Sequence, residues 1–293
     1  MRKNLIGSIV TAAAVLALGL APTPAAGQAP AGRGGFGGRG GRGPGAAAAP
    51  AEVKPAPRLP DGKPDLGATS GIWSPIWVQD WASRRFVGKD IEVPYRPWAK
   101  ALFDKRQANL SKDDPQGWCL PAGLPRYTGT PYPFQMYQLR DRILVLYERA
   151  NDWRIIWMDG RKHSKDPWSW MGESIGWWED DTLVVDSIGF NGKTWLDYVG
   201  HPTTDALHVV EKFRRPDYAT LEYEATIDDA KAYTKPWTTS FKIPFRQGQD
   251  LMEYVCNENN KDVLHMSTEG PEFNGPPPEF DKSVKPFIEP VTK

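Results

Sequence analysis

Short segments of alternating apolar and polar residues run from about residue 71 to residue 256 and restrict the fold more than any other feature. Alternation with a period of two is typical of β-strands that have one buried face. Turn-forming residues separate the segments, which predicts hairpins. We therefore expect about eight to ten strands in a mainly β domain, an antiparallel lipocalin-like barrel, with a β-sandwich as the second choice. The segments are GIWSPIW, RILVLYE, WRIIWM, SIGWW, TLVVDSIG, ALHVVEKFR, TLEYEATID, WTTSFKIPF and LMEYVC.

One segment before these hairpins has helical spacing. RPWAKALFDKRQANLSK places Pro97 near a helix start and sets Trp98 and Leu102 one turn apart. The sequence therefore predicts one short N-terminal helix, with proline-rich arms on both sides of the barrel.

The N-terminus has the basic start, the apolar run and the small residues of a secretory signal peptide. The Gly/Arg/Pro-rich stretch after it cannot bury enough apolar surface to fold, which predicts a disordered tether. We expect an exported protein, periplasmic or extracellular. The predicted organisation is a signal peptide at 1–29, a tether at 30–58, a single barrel domain at 59–262 and a proline-rich arm at 263–293.

The chain has two cysteines, Cys119 and Cys256, and equal numbers of basic and acidic residues, 36 each. Two cysteines in an oxidising compartment predict one disulfide closing a long loop, with two buried thiols as the alternative. The zero formal charge gives no electrostatic basis for nucleic-acid binding. No second apolar run follows the signal peptide, so we expect no membrane insertion.

Several blocks of the sequence resemble a large family of exported, β-rich proteins of soil bacteria. The blocks are PDGKPDLGATSGIW, WWEDDTLVVDSIGFN and GHPTTDALHVVEKFRR, which correspond to PDLSGIW, RWEGDTLVVDTIGFN and GHPHSDALHVVERF in that family. The resemblance covers Pro60 to about Asn260 and implies no particular reaction. The GxW-like segment Gly71–Trp73 is expected to open the barrel, and in this the chain also resembles lipocalin-type folds. The chain departs from the family at Thr203, where the family has a histidine.

His201, Asp205 and His208 form an HxxxDxxH pattern where a loop enters a strand. Two imidazoles and a carboxylate can bind zinc or iron, can act as a metal-free acid–base pair, or can serve as structural hydrogen-bond groups. In a strand, alternation places His208 on the face opposite Leu207, Val209 and Phe213. The three side chains of the pattern therefore converge only if the loop bends. We predict no metal and no cofactor, since Thr203 replaces the third histidine.

Alternation also places Glu211 on the same strand face as the apolar Val209 and Phe213. An inward Glu211 or Asp186 must be paired, because an unpaired buried charge is costly. Arg154 and Arg142 are the candidate partners. The pair is either an ordinary structural ion pair or a general acid or base that lines a ligand cavity.

The chain has 13 tryptophans, and Trp170 and Trp195 lie in predicted loops. Flat apolar rings with a polar N–H suit stacking on sugar rings or aromatic ligands, whereas the alternative is that they cover the core. The GxSxG, P-loop, HExxH and CxxC motifs are absent, so serine hydrolysis, nucleotide binding and thiol redox chemistry lack their usual signatures.

These patterns lead to a functional hypothesis of an exported enzyme that acts on a small cyclic substrate, a sugar derivative or an aromatic or terpenoid compound. The reaction is metal-free acid–base hydrolysis or elimination, with a non-catalytic ligand-binding barrel as the alternative. The predicted roles are acid or base for His201 or His208, orientation of the imidazole for Asp205, polarisation of substrate for Glu211 and Arg154, and substrate binding for Trp170, Trp195 and Asp186.

Overall fold

The computed structural model describes residues 53–67, 70–164, 168–258, 260–261, 266, 270, 275 and 285–290. Nine β-strands close into a barrel, which confirms the predicted mainly β, lipocalin-like fold. The predicted signal peptide and most of the predicted tether lie outside the described residues. The strands are β1 (Gly71–Trp73), β2 (Phe134–Gln138), β3 (Arg142–Tyr147), β4 (Trp153–Trp157), β5 (Glu173–Glu179), β6 (Thr182–Ile188), β7 (His208–Arg214), β8 (Thr220–Asp228) and β9 (Trp237–Gln247).

Strands that follow one another in the chain are also neighbours in the barrel, and β1 closes it by pairing with β9. Most pairs are antiparallel, but β4 and β5 run parallel, with Trp157 opposite Ile175. The barrel is thus mainly antiparallel, as predicted, with one parallel pair that the sequence analysis did not identify. A parallel pair requires a crossover connection of about a dozen residues or more, and the long segment 158–172 supplies it.

Two strand predictions require correction. β2, FQMYQ, was not predicted as a strand, yet it pairs with β3 along its whole length. Its pattern is short and directly follows the proline-rich loop, so alternation alone does not separate it from that loop. The segment LMEYVC, residues 251–256, is not a strand. Its backbone is held instead by a hydrogen bond from Met252 N–H to Glu148 Oε2 (2.9 Å) and by the disulfide at its end.

The predicted helix is confirmed as α2, which spans Pro97–Ala108 with proline in its first turn. A shorter helix, α1 (Arg84–Val87), precedes it and was not predicted. The Ser83 side chain caps its N-terminus, and Gly88 ends it with a left-handed φ of 78°. Four residues are too few to show a helical period. Single turns of 3₁₀ helix lie at Pro115–Trp118, Arg126–Gly129 and Arg149–Asn151.

Alternate side chains of every strand fill the barrel interior, as a period of two requires. Aromatic rings pack along it, with Tyr223 4.9 Å from Phe241 and 5.0 Å from Phe213 between ring centroids. Trp81, which is fully buried, lies edge-on against Phe241 at 5.4 Å. Each such side chain contributes roughly 1.5–3 kcal/mol by leaving water. The interior is therefore a packed core around these rings.

Segments outside the barrel strands lie on its surface. Residues 53–58 belong to the predicted tether, but Lys54 C=O accepts from Tyr218 N–H (2.9 Å) and Arg58 forms an ion pair with Asp181 (2.5 Å). These contacts attach residues 54 and 58 to the barrel. In the C-terminal arm, Ile288 N–H donates to Asp228 Oδ2 (2.6 Å). No helix in the described ranges is long and apolar enough to cross a membrane.

Candidate functional site

A buried ion pair between Arg154 and Glu211 lies inside the barrel. The two residues are 3% and 0% exposed, and Arg154 Nη2 donates to Glu211 Oε2. The guanidinium also donates to Ser187 Oγ (2.8 Å) and Ser174 Oγ (2.9 Å). The Tyr223 hydroxyl donates to the other Glu211 oxygen (2.9 Å). The predicted inward pairing of Glu211 with Arg154 is therefore confirmed.

The electrostatics of this pair favour a structural role. Burial lowers the pKa of Arg154, but the Glu211 carboxylate outweighs it and the net shift is upward. Burial and the Glu211 charge raise the pKa of Tyr223 well above its ordinary value. The guanidinium thus stays charged and the phenol stays a donor. Protein donors occupy both oxygens of the carboxylate, which favours a structural role.

Asp186 does not face the interior, which corrects the inward alternative. It lies on the opposite face of β6 from Ser187, and its Oδ1 accepts from His208 Nε2 (2.8 Å). His163 Nε2 lies 3.3 Å from the same oxygen, and His163 Nδ1 lies 3.3 Å from Glu173 Oε2. The result is a chain of two imidazoles and two carboxylates that ties β5, β6 and β7 to the segment before Ser164.

His208 is the cation of this network of two imidazoles and two carboxylates. Burial lowers the pKa of His208, but the hydrogen bond to Asp186 and the charge of Asp228, whose Oδ2 lies 3.8 Å from Nδ1, raise it to about 9. An imidazolium at neutral pH has no lone pair with which to accept a proton. The geometry therefore favours a structural role for His208 over that of a base.

Replacing His208 with glutamine should remove a pH dependence from the stability of the fold. Because the folded-state pKa is raised, the stabilisation is fully present below about pH 6.5 and is lost as pH rises through about 9, up to about 3 kcal/mol in all. Urea unfolding of the wild type between about pH 6 and pH 10 should show this decline. An equally steep decline in H208Q would contradict the assignment.

His201 is oriented by Asp197 and not, as predicted, by Asp205. His201 Nδ1 donates to Asp197 Oδ2 (2.6 Å), while the backbone N–H groups of Gly200 and His201 donate to Oδ1 (3.0 and 3.1 Å). Burial raises the pKa of Asp197, but the His201 charge and these hydrogen bonds bring it below its ordinary value. Asp205 instead accepts from Lys231 Nζ (2.8 Å).

The three residues of the HxxxDxxH pattern therefore have separate partners. The threonines of the loop between them hydrogen-bond to other segments of the protein. Thr203 Oγ1 donates to Thr194 C=O (2.6 Å), and Thr204 Oγ1 donates to Asp229 Oδ1 (2.8 Å). Within the described ranges, one group has metal-binding geometry, and it combines His201 with Asp80 and Asp197.

The two loop tryptophans differ from the prediction. Trp195 is only 1% exposed, and the Arg106 guanidinium lies 4.1 Å above its ring. Its faces are therefore covered by protein, which excludes stacking on a substrate in this conformation. Trp170 is half-buried beside the end of the crossover segment. Neither tryptophan lines the cleft that opens outside the barrel near Trp77 and Tyr198.

A cleft of about 660 Å³ opens outside the barrel, and four aromatic side chains line it together with polar, charged and aliphatic residues. Trp77 and Tyr198 meet edge to face with centroids 5.0 Å apart, and they are 42% and 40% exposed. Tyr132 and Tyr254 form a second edge-to-face pair at 5.0 Å. The cleft has the size and lining of a small-molecule site.

The sequence interpretation missed these four aromatics because it weighted tryptophans near the HxxxDxxH pattern. Trp77 was assigned to a strand, and Tyr132 lies in the Pro/Gly/Tyr-rich loop that follows Cys119. The sequence nevertheless contained a signal for two of these residues. Tyr132 lies in the loop that follows Cys119, and Tyr254 lies in the segment that precedes Cys256. Aromatic residues in loops tied by a disulfide are held at the surface, where they cannot all enter the core.

The Cys119–Cys256 disulfide is present and confirms that prediction; its Cα atoms are 5.5 Å apart. Cys256 itself lines the cleft, together with Val255. The bridge therefore fastens the segment that carries Tyr254 against the 3₁₀ turn Pro115–Trp118.

Comparisons with protein-family models, curated proteins and solved structures found no match. The function of this protein must therefore be inferred from the chemistry of the cleft and of the buried clusters.

Proposed function

We propose that this protein is exported and binds a small, neutral, ring-shaped ligand, a sugar derivative or an aromatic or terpenoid compound, in the aromatic cleft. The observation that carries the proposal is the cleft of about 660 Å³ with two edge-to-face aromatic pairs, of which Trp77 and Tyr198 are exposed and Tyr132 and Tyr254 are half-buried. Small-molecule sites typically enclose about 300–1,000 Å³ and are lined mainly by apolar and aromatic groups.

The aromatic pairs favour flat or ring-shaped ligands. An exposed indole beside an exposed phenol, as at Trp77 and Tyr198, offers apolar area to a ring and polar atoms at its edge. Across the cleft, the hydroxyls of Tyr132 and Tyr254 lie 3.5 Å apart. Burial and this contact raise the pKa of Tyr132 to about 12, so its hydroxyl remains a donor.

The two buried arginines that line the cleft give an anionic ligand little advantage over a neutral one. Arg126 donates to both oxygens of Asp114 (2.8 and 2.5 Å), and both side chains are buried. Arg149 donates to the carbonyls of Gln116 (2.9 Å) and Leu120 (3.4 Å). Because these guanidiniums already have acceptors, an anionic ligand gains little from them.

Binding is favoured over catalysis because the predicted catalytic groups are elsewhere. The lining of the cleft does not include His201, His208, Glu211 or Arg154, which are buried and hydrogen-bonded to protein. General acid–base chemistry requires a group within hydrogen-bond reach of the substrate. The enzyme hypothesis stays a prediction, and turnover of chromogenic glycosides or esters by the purified protein would revive it.

Trp77→Ala should weaken binding of a ring ligand by about tenfold, because a lost aromatic contact is worth about 1.5 kcal/mol. The measurement is isothermal titration calorimetry of the purified mature protein. The panel contains methyl glucoside, a phenyl glucoside, phenol and a cyclic monoterpene alcohol, and the member that binds the wild type is carried forward to the variants.

The matched control is Trp153→Ala, which removes another exposed indole, 60% exposed, that does not line the cleft. We expect W153A to retain the wild-type dissociation constant. Equal losses in the two variants would place the ligand elsewhere on the surface. Absence of binding across the panel would oppose the proposed ligand class.

A further inference from the structure

A second cluster of polar side chains lies where the segment before α1 meets the loop after β6, and it does not line the cleft. Trp81 N–H donates to Asp197 Oδ2 (2.9 Å), and Val199 N–H donates to Gln79 C=O (3.2 Å). These bonds hold the two segments together and bring Asp80 beside Asp197 and His201.

The ligand atoms of Asp80, Asp197 and His201 all lie within 4.8 Å of one another. A tetrahedral dication with bonds of about 2.1 Å separates its ligand atoms by about 3.4 Å. Asp197 and His201 are buried, whereas Asp80 is half-buried and its Oδ1 accepts from Ala82 N–H (2.9 Å). Three protein ligands and one solvent-facing side would leave a fourth position open.

The cluster has one basic side chain for two carboxylates. Among the described residues, neither Asp80 nor Asp197 forms an ion pair with a lysine or arginine, and His201 is the basic group that Asp197 contacts. A cation that joins the two carboxylates would offset the cost of placing them side by side.

The imidazole of His201 is held by aromatic rings and by Asp197. His201 stacks on Tyr95, with ring centroids 5.9 Å apart and an interplanar angle of 10°, and Phe103 lies 4.8 Å away. Asp197 Oδ1 accepts from two backbone N–H groups, and its Oδ2 accepts from Trp81 N–H (2.9 Å) and from His201 Nδ1 (2.6 Å). These contacts fix the orientation of both side chains, and a metal would take the place of the Nδ1 proton.

We propose that Asp80, Asp197 and His201 form a binding site for a first-row transition-metal dication such as Zn²⁺. One imidazole with two carboxylates suits such an ion better than Ca²⁺ or Mg²⁺, which take six or more oxygen ligands. The site would replace the proton shared by His201 and Asp197 with a metal and would bring Asp80 into the coordination shell. The proposal is independent of ring binding in the cleft.

The test uses the full mature chain after treatment with EDTA and dialysis, titrated with ZnCl₂ by calorimetry and with CoCl₂ by visible absorption. We expect saturable binding at one equivalent, a d–d band of four-coordinate intensity with Co²⁺, and a higher melting temperature with Zn²⁺. Asp80→Asn should weaken Zn²⁺ binding by about tenfold or more. This half-buried position tolerates the change, and the melting temperature of metal-free D80N checks that it folds.

Asp104→Asn is the matched control, because Asp104 is an exposed carboxylate on α2 that pairs with Lys100. We expect D104N to bind Zn²⁺ as the wild type does. The proposal is overturned if the wild type shows no saturable Zn²⁺ or Co²⁺ binding. It is also overturned if folded D80N binds Zn²⁺ with wild-type affinity, or if D104N weakens binding as much as D80N does.

Discussion

Replacing both Cys119 and Cys256 with serine should lower the free energy of unfolding by up to about 5 kcal/mol. The bridge joins residues separated by 137 positions, and the chain-entropy model gives this value for a loop of that length. Much of the loop is barrel, so the covalent link limits the unfolded state of almost the whole folded domain. Urea unfolding of the double variant and of the oxidised wild type measures the difference.

The same variant should also lose affinity for ring ligands. Tyr254 is carried by a segment without strand pairing, and the disulfide is its covalent attachment to the opposite wall of the cleft. Wild-type protein reduced with dithiothreitol is the control, because it keeps the cysteine side chains. A loss below about 1 kcal/mol in both samples would show that packing alone holds this segment.

Replacing Glu211 with leucine should destabilise the barrel by about 3–5 kcal/mol, because it leaves the Arg154 guanidinium buried without its counter-charge. The Tyr223 hydroxyl would lose its acceptor as well. Glu211→Gln should cost less, since the amide oxygen can still accept from Arg154. Denaturant midpoints of the three proteins measure the order.

Two further variants distinguish the effect of burying the Arg154–Glu211 ion pair from the effect of losing an ion pair at the surface. Glu222→Leu breaks an exposed pair with Arg214, at 2.8 Å and with side chains about half and one-third exposed, and should cost less than about 1 kcal/mol. The double variant R154M/E211L should recover part of the E211L loss, because two apolar side chains need no pairing. If E211L and E222L cost the same, the interior pair contributes no more than a surface pair.

Local patterns were sufficient for most of the fold. Alternation predicted the face on which Glu211 lies, and Pro97 marked the start of α2, because both depend only on neighbouring residues. The parallel pairing of β4 and β5 was missed, since strand direction depends on where a crossover segment leads. Residues 251–256 alternate like a strand but have no neighbouring strand to pair with, so the disulfide and one side-chain contact decide their conformation.

In the candidate site, the difference between what the sequence predicts and what the tertiary structure adds is larger. The sequence alone determined the chemical groups available: an inward Glu211 with Arg154 or Arg142 as its candidate partner, two cysteines for one bridge, and an HxxxDxxH pattern where a loop enters a strand. Only the tertiary structure decided that His201 is held by Asp197 and not by Asp205, and that Asp80, distant in the chain, completes the group. It also decided that Trp195 is enclosed while Trp77 and Tyr198 remain open to a ligand. The physical reason is that alternation fixes the side of a strand on which a residue lies, whereas hydrogen bonds and packing between distant segments fix what it meets there.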